Sequence, residues 1–175
     1  GFRDMKKTLK SSIQKYFISA QGKFDLYIPF IEQGFRILRE NGFIVYICPT
    51  AFTKREHGKQ IRSFLLSNSC LNELVDFEHS QIFEGATNYT GILSFFKSFN
   101  KQKNTFIYRK GLSGDSLICS QEELSKDSWI FVDKISNSIL NKIYENKPLD
   151  HIASISEGVV TGLNKLYLKS AHQIE

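Results

Sequence analysis

An α/β fold is predicted by three features of the sequence. A helix-period apolar pattern over residues 25–40 runs straight into an unbroken apolar stretch at 43–48. A second helical pattern at 58–67 is followed at once by a strand-like run at 71–77. Further runs rich in β-branched and aromatic residues recur at 89–96 and 105–108. Strand, helix, strand at this spacing is the signature of an α/β layer.

The elements follow in order. Residues 1–23 carry Arg3, Lys6, Lys7, Lys10, Lys15 and Lys23 against Asp4 alone, with Leu9, Ile13 and Phe17 at four-residue spacing. This reads as a partly helical approach segment outside the core. Residues 25–40 place Leu26, Tyr27, Phe30, Ile31, Phe35 and Leu38 on one helical face, with Asp25 as the expected N-cap. Pro29 fits only near the first turn. Asn41 and Gly42 supply a left-handed stop. The run F-I-V-Y-I-C is continuous, which predicts a strand covered on both faces, and Pro49 ends it. Ile61, Phe64 and Leu65 face inward from the second helix. Residues 111–128 are polar and turn-like. A last helix is expected at 133–146, with Ile135, Ile139, Leu140, Ile143 and Tyr144 on one face and Pro148 beyond it.

At 175 residues and 41% apolar composition the chain can bury a real core and is no disordered segment. The net charge of +5 becomes a clue to nucleic acid only where it clusters. Cys48, Cys70 and Cys119 form no C-x-x-C pair, so no metal site is suggested and a reducing cytoplasm is the expected compartment. No apolar stretch reaches the roughly 18–20 residues of a membrane span, and no signal peptide is visible.

Three segments invite a functional reading. The connection at 78–88, E-H-S-Q-I-F-E-G-A-T-N, is long for a hairpin and carries Ile82 and Phe83 amid polar neighbours. Phe83 could serve a ligand there or pack back on the sheet, and packing is the simpler reading of the residues alone. The segment T-K-R-E-H-G-K-Q-I-R places Lys54, Arg55, Lys59 and Arg62 just after the strand end at Pro49, where α/β folds hold their ligands. Those cations fit phosphate contact and a solvated helix start equally well. Thr161, Asn164 and Lys165, in T-G-L-N-K, are candidate DNA contacts, and a tight turn at Gly162 explains the same pattern.

The pieces G-K-F-D-L-Y, R-E-N-G-F-I-V-Y-I-C-P-T-A-F, L-V-D-F-E-H-S-Q-I-F-E-G-A-T-N-Y-T-G-I-L and S-E-G-V-V-T-G-L-N-K-L-Y-L, in this order, resemble the TaqI-like adenine-specific DNA methyltransferases. That family includes type II modification enzymes and the fused restriction–methylation enzymes of type IIG. Arg39-Glu40-Asn41-Gly42 departs mildly from the family's L-K-x-G-G ending. The resemblance covers about two-thirds of the chain.

It implies the later half of a Rossmann-like methyltransferase sheet, a mixed sheet of three to four strands with flanking helices, at residues 1–110, a linker and helix at 111–147, and the beginning of a target-recognition region at 148–175. It also implies S-adenosylmethionine as methyl donor in the parent protein. This sequence holds no G-x-G among its glycines and no adjacent prolines, so neither the donor-binding turn nor the N-P-P-Y motif is present. The chain itself is therefore expected to bind no donor and no metal, and to be inactive alone. By resemblance Phe83 is the aromatic that stacks on the flipped adenine. The expected partner is double-stranded DNA, contacted by Lys54, Arg55, Lys59, Arg62, Thr161, Asn164 and Lys165. The strand at 43–48 is expected at a sheet edge, open, covered by residues 1–23 or paired in a strand-edge dimer. The alternative is a non-catalytic DNA-binding or scaffold module of a phage-defence complex.

Overall fold

The computed structural model describes residues 6–84, 89–98, 104–154 and 156. Two compact units divide the chain at Asp133 and Lys134. The first holds α1 (Lys7–Tyr16), α2 (Tyr27–Ile37), β1 (Phe43–Pro49), α3 (Lys59–Asn68), β2 (Ser69–Asp76), β3 (Thr90–Lys97), β4 (Thr105–Lys110) and β5 (Ser116–Ser120). The second holds α4 (Lys134–Tyr144), whose Ile135, Ile139 and Ile143 are exposed.

The five strands form one mixed sheet in the order β1-β3-β2-β4-β5. β3 lies antiparallel between β1 and β2, β4 runs parallel to β2, and β5 is antiparallel to β4. Three or four strands were expected. The fifth is S-L-I-C-S, hidden in the stretch that reads as polar and turn-like. Its backbone pairs with β4 from Thr105↔Ser120 to Arg109↔Ser116, so its existence rests on a neighbour and not on its own apolar content.

β1 sits at the edge of the sheet, as the resemblance implies, with β3 as its strand partner among the described residues. The expectation of two covered faces fails. Ile44, Tyr46 and Cys48 point toward the helices, whereas Phe43, Val45 and Ile47 on the opposite face are 45%, 55% and 51% exposed. A continuous apolar run cannot report burial on both sides, because the alternation of side chains is a property of the pleat and not of the composition.

The core fills the helix-covered face. Ile28, Ile31 and Phe35 of α2 and Ile61 and Leu65 of α3 pack with Cys48, Leu71, Leu74, Leu93, Phe95, Phe106 and Tyr108 of the sheet. α2 lies close on β1 because Gly34 has no side chain; a Cβ there would run into Ile44 and Tyr46. The Tyr46 hydroxyl then donates to the Phe30 carbonyl at 2.9 Å. No side chain caps α2, so Asp25 does not play that part, and Asn41 takes the left-handed conformation (φ 59°) that turns the chain into β1.

The approach segment contributes more than expected. Ser19 and Ala20 are fully buried, because the buried Glu32 carboxylate accepts hydrogen bonds from the Ile18 and Ser19 amides at 3.2 and 2.7 Å and pairs with Arg36. Beyond β5 the chain also stays within the first unit. Gln121 satisfies the start of β2 with its side chain, which accepts from the Leu71 amide at 2.8 Å and donates to the Ser69 carbonyl at 2.8 Å. Trp129 is fully buried against Phe52, and its amide donates to Thr53 at 2.7 Å. The first compact unit runs to Asp133 and so includes β5, Gln121 and Trp129.

Candidate nucleic-acid interface

β1, β2 and β4 all point the same way, so Pro49, Asp76 and Lys110 share the carboxyl edge of the sheet. The chain crosses this edge twice. After β1 it enters the turn Thr50–Thr53 and the basic segment leading into α3. After β2 it enters the connection to β3, anchored at its ends by the Phe77 amide on Thr90 (3.1 Å) and the Thr50 amide on Tyr89 (3.0 Å). Gly91 makes this crossing possible, since a Cβ there would meet the Thr50 methyl and the Val75 carbonyl.

The β2–β3 connection exposes three large side chains. Phe83 is 48% exposed, and Ile82 and Tyr89 are likewise open to solvent. His79 packs edge-on against Tyr89, with ring centroids 5.3 Å apart. Asp76 braces the base of the loop. Its carboxylate accepts from the Glu78 amide at 2.9 Å, and Glu78 holds a positive φ of 50° while pairing with Lys110 at 3.0 Å. Burial, followed by Asp76, pushes the Tyr108 phenol up to about 12, so Tyr108 stays protonated as a donor in this cluster.

The basic segment divides into two kinds of residue. Lys54 and Arg55 are exposed and form no ion pair among the described residues. Lys59 is half-buried and meets Asp127 at 2.9 Å, a hydrogen bond that holds its ammonium pKa above the ordinary value. Arg62 corrects the expectation drawn from the sequence. It is fully buried, and its guanidinium donates to the carbonyls of Phe52, Arg55 (2.9 Å), Lys126 (2.8 Å) and Asp127 (2.5 Å). Burial lowers its pKa, yet the planar fork finds four backbone acceptors on the turns around it. Arg62 therefore binds the protein's own backbone and is withdrawn from any DNA surface. Thr161, Asn164 and Lys165 lie outside the described residues.

One cleft of this region went unread in the sequence. A cleft of about 700 Å³ lies between the turn at Gln21, Gly22 and Lys23 and the segment from Arg55 to Gln60. His57 stands in its wall, its Nε2 3.4 Å from the Tyr27 hydroxyl, whose own pKa burial drives above the ordinary range. The signal was thin: Lys23 and Arg55 are 32 positions apart, and only the docking of the Ile18–Ala20 turn on α3 brings them to one place.

Three clefts of this unit bear on whether it could hold S-adenosylmethionine. Lys23, Arg55 and Lys59 in the first would repel its sulfonium. In a second, of about 750 Å³, Tyr108 and Phe131 stack on each other at 4.3 Å. The third is a polar hollow of about 370 Å³ closed by the Glu78–Lys110 pair. Among the described residues no helix is long and apolar enough to cross a membrane.

A mixed sheet with a crossed carboxyl edge, an exposed aromatic loop and a basic cleft defines an α/β domain with helices on one face. Comparison with known proteins gives the particular relationship: residues 1–83 match the family described as Eco57I restriction-modification methylase. The chain is 30% identical over 167 residues to the type II restriction enzyme and methyltransferase RM.Eco57I of Escherichia coli, covering 89% of this chain and 17% of that protein. It is 26% identical over 191 residues to the type II methyltransferase M.BstVI of Geobacillus stearothermophilus, covering 93% of this chain and 34% of that protein. Among solved structures, the type IIL restriction-modification enzyme MmeI in complex with DNA aligns with a TM-score of 0.49 and 16% identity, over 69% of this chain and 17% of that one. The chain is a relative of the type II restriction–modification methyltransferases and spans a third or less of the length of the two just named.

Proposed function

We infer that this chain is the later part of the methyltransferase domain of a DNA adenine-N6 methyltransferase from a restriction–modification system. In this reading it supplies one face of the base pocket and part of the DNA-backbone surface, works in the cytoplasm, and is inactive alone. The observation that carries the reading is the position of Phe83. Its ring is half-exposed on the loop that leaves the carboxyl end of β2, beside the loop that follows β1. Methylating the exocyclic amine of adenine requires the base to leave the duplex. An aromatic face fixes the plane of the extruded base and contributes about 1–3 kcal/mol of stacking. Phe83 takes that part, and Lys54, Arg55 and Lys59 meet phosphates. S-adenosylmethionine supplies the methyl group in the parent protein, through residues that this sequence does not contain.

The test uses 2-aminopurine in place of the target adenine. In the full-length protein, Phe83→Ala should abolish the fluorescence rise on base extrusion and Phe83→Trp should retain most of it, with donor affinity unchanged in both. An unaltered signal in the Ala variant rejects the assignment. For the 175-residue chain alone, calorimetry with S-adenosylmethionine should show no saturable heat, and a micromolar site would sink the reading.

A further inference from the structure

We propose that the cleft between the Gln21–Lys23 turn and the Arg55–Gln60 segment grips the sugar–phosphate backbone of a DNA strand, with Lys23 and Arg55 closing on it from opposite walls. The inference rests on the DNA-methyltransferase reading and adds to it a bipartite site and a residue, Lys23, that the sequence did not single out.

Three observations lead there. The first is charge. Lys23, Arg55 and Lys59 face Glu56 alone in the lining, and neither Lys23 nor Arg55 has an ionic partner among the described residues. The one cation that is engaged, Lys59, is tied to Asp127, a residue outside the lining. With Glu56 the one carboxylate in the lining, two unpaired cations across a gap are stabilised by an anion between them.

The second is rigidity. On one wall, Gly22 holds a φ of +67°, Gln14 donates to its carbonyl at 3.1 Å, and the Gln21 amide returns to the Gln14 carbonyl at 3.1 Å. On the other wall the buried Arg62 pins the carbonyls of Phe52 and Arg55. Gly58 abuts the Phe52 carbonyl so closely that no Cβ fits. Both cations therefore spring from braced backbone, and their convergence does not depend on ordering a loop at the moment of binding.

The third is size and place. A single inorganic phosphate would rattle in about 700 Å³, whereas a stretch of polymer backbone fills a groove of that scale. The Arg55 wall grows directly from the carboxyl end of β1, the edge that also bears the Phe83 loop. A strand lying in the cleft is thus held at the same edge of the sheet as the exposed aromatic.

The test is the salt dependence of binding between the 175-residue chain and a fluorescein-labelled 20-base-pair duplex, by anisotropy in 50–300 mM KCl. Each phosphate neutralised contributes about 0.9 to the slope of log K against log salt. Lys23→Ala and Arg55→Ala should each lower the slope by about one, the double variant by about two. Lys23→Arg should restore it, and Lys142→Ala on α4 should change nothing. Circular dichroism confirms the fold of each variant. If the wild-type chain binds DNA but its slope ignores Lys23→Ala, the cleft proposal falls while the DNA-binding reading stands. If the wild-type chain binds no DNA at 50 mM KCl, both fall. If inorganic phosphate at constant ionic strength displaces the duplex at low millimolar concentration, the site serves a free anion and the proposal is wrong.

Discussion

The two faces of the sheet are built from the same strands and live in different environments. The helix-covered face carries Leu71, Leu74, Leu93, Phe95 and Phe106, all at 2% exposure or less. The opposite face leaves Phe43, Val45, Ile47, Phe96, Ile107 and Ile118 accessible, with Ile118 at 83%. Down its middle runs a polar strip, where Asn72 donates to Ser94 at 3.1 Å and Arg109 pairs with Glu73 at 2.9 Å. Stability is therefore stored on one side. The residues of the other side owe their apolar character to something other than the packing seen here.

The largest expected effect breaks the covered side at its polar pin. Arg62→Ala strips donors from four carbonyls and empties a fully buried volume. It should cost about 3–5 kcal/mol in urea unfolding, whereas Arg55→Ala, seven residues away and exposed, should stay within about 0.5 kcal/mol. Equal costs for the two would mean that the guanidinium network does not hold the turns.

Next comes the apolar packing itself. Phe95→Ala should cost about 3–5 kcal/mol, as expected for a large buried aromatic. Phe96→Ala, its neighbour on the open face, should cost about 1 kcal/mol or less despite its ring contact with Phe43 at 4.6 Å. A large loss at Phe96 would show that the open face is covered in solution.

A smaller, pH-dependent difference separates the thiols. Cys48 is buried on the covered face, and burial pushes its pKa up to about 12 from an ordinary value near 9. The unfolded chain thus releases this proton first. Its contribution to stability is complete below about pH 9 and declines as the pH climbs toward 12. Ellman's reagent at pH 8 should react with Cys48 more slowly than with Cys70 or Cys119, and Cys48→Ala should flatten the alkaline loss of stability. Rapid labelling of Cys48 would contradict its burial.

The smallest expected change lies on the open face. Val45→Lys with Ile47→Lys should shift unfolding by less than about 1 kcal/mol while raising the concentration at which the chain self-associates, read by light scattering. Unaltered self-association would show that this face and the open β1 edge do not cause it.

Much of this was legible from the residues. Apolar periodicity located α2, β1, α3 and β2–β4 to within a few residues, because those elements contribute the side chains of the core. The edge position of β1 came from the family resemblance. Features decided by partners were not legible. β5 exists because β4 offers a backbone ladder. Trp129 is core although S-K-D-S surrounds it, and only its standing as the sole tryptophan, followed by Ile130 and Phe131, hinted at this. Arg62 looked like its basic neighbours because sequence records the charge and not the acceptors waiting for it. The cleft was invisible for the same reason: its walls are distant in the chain.

The strand order also sets a timetable. β1 is complete at Pro49, yet its only strand partner among the described residues ends at Lys97. A ribosome adding about 5–20 residues per second needs on the order of 2–10 s to cover that interval. Throughout it, F-I-V-Y-I-C has α2, already made, to shield one flank, while the edge that will take β3 waits unpaired. The nascent chain is at its stickiest in those seconds. Codon choice and chaperone access between residues 50 and 97 then bear on yield.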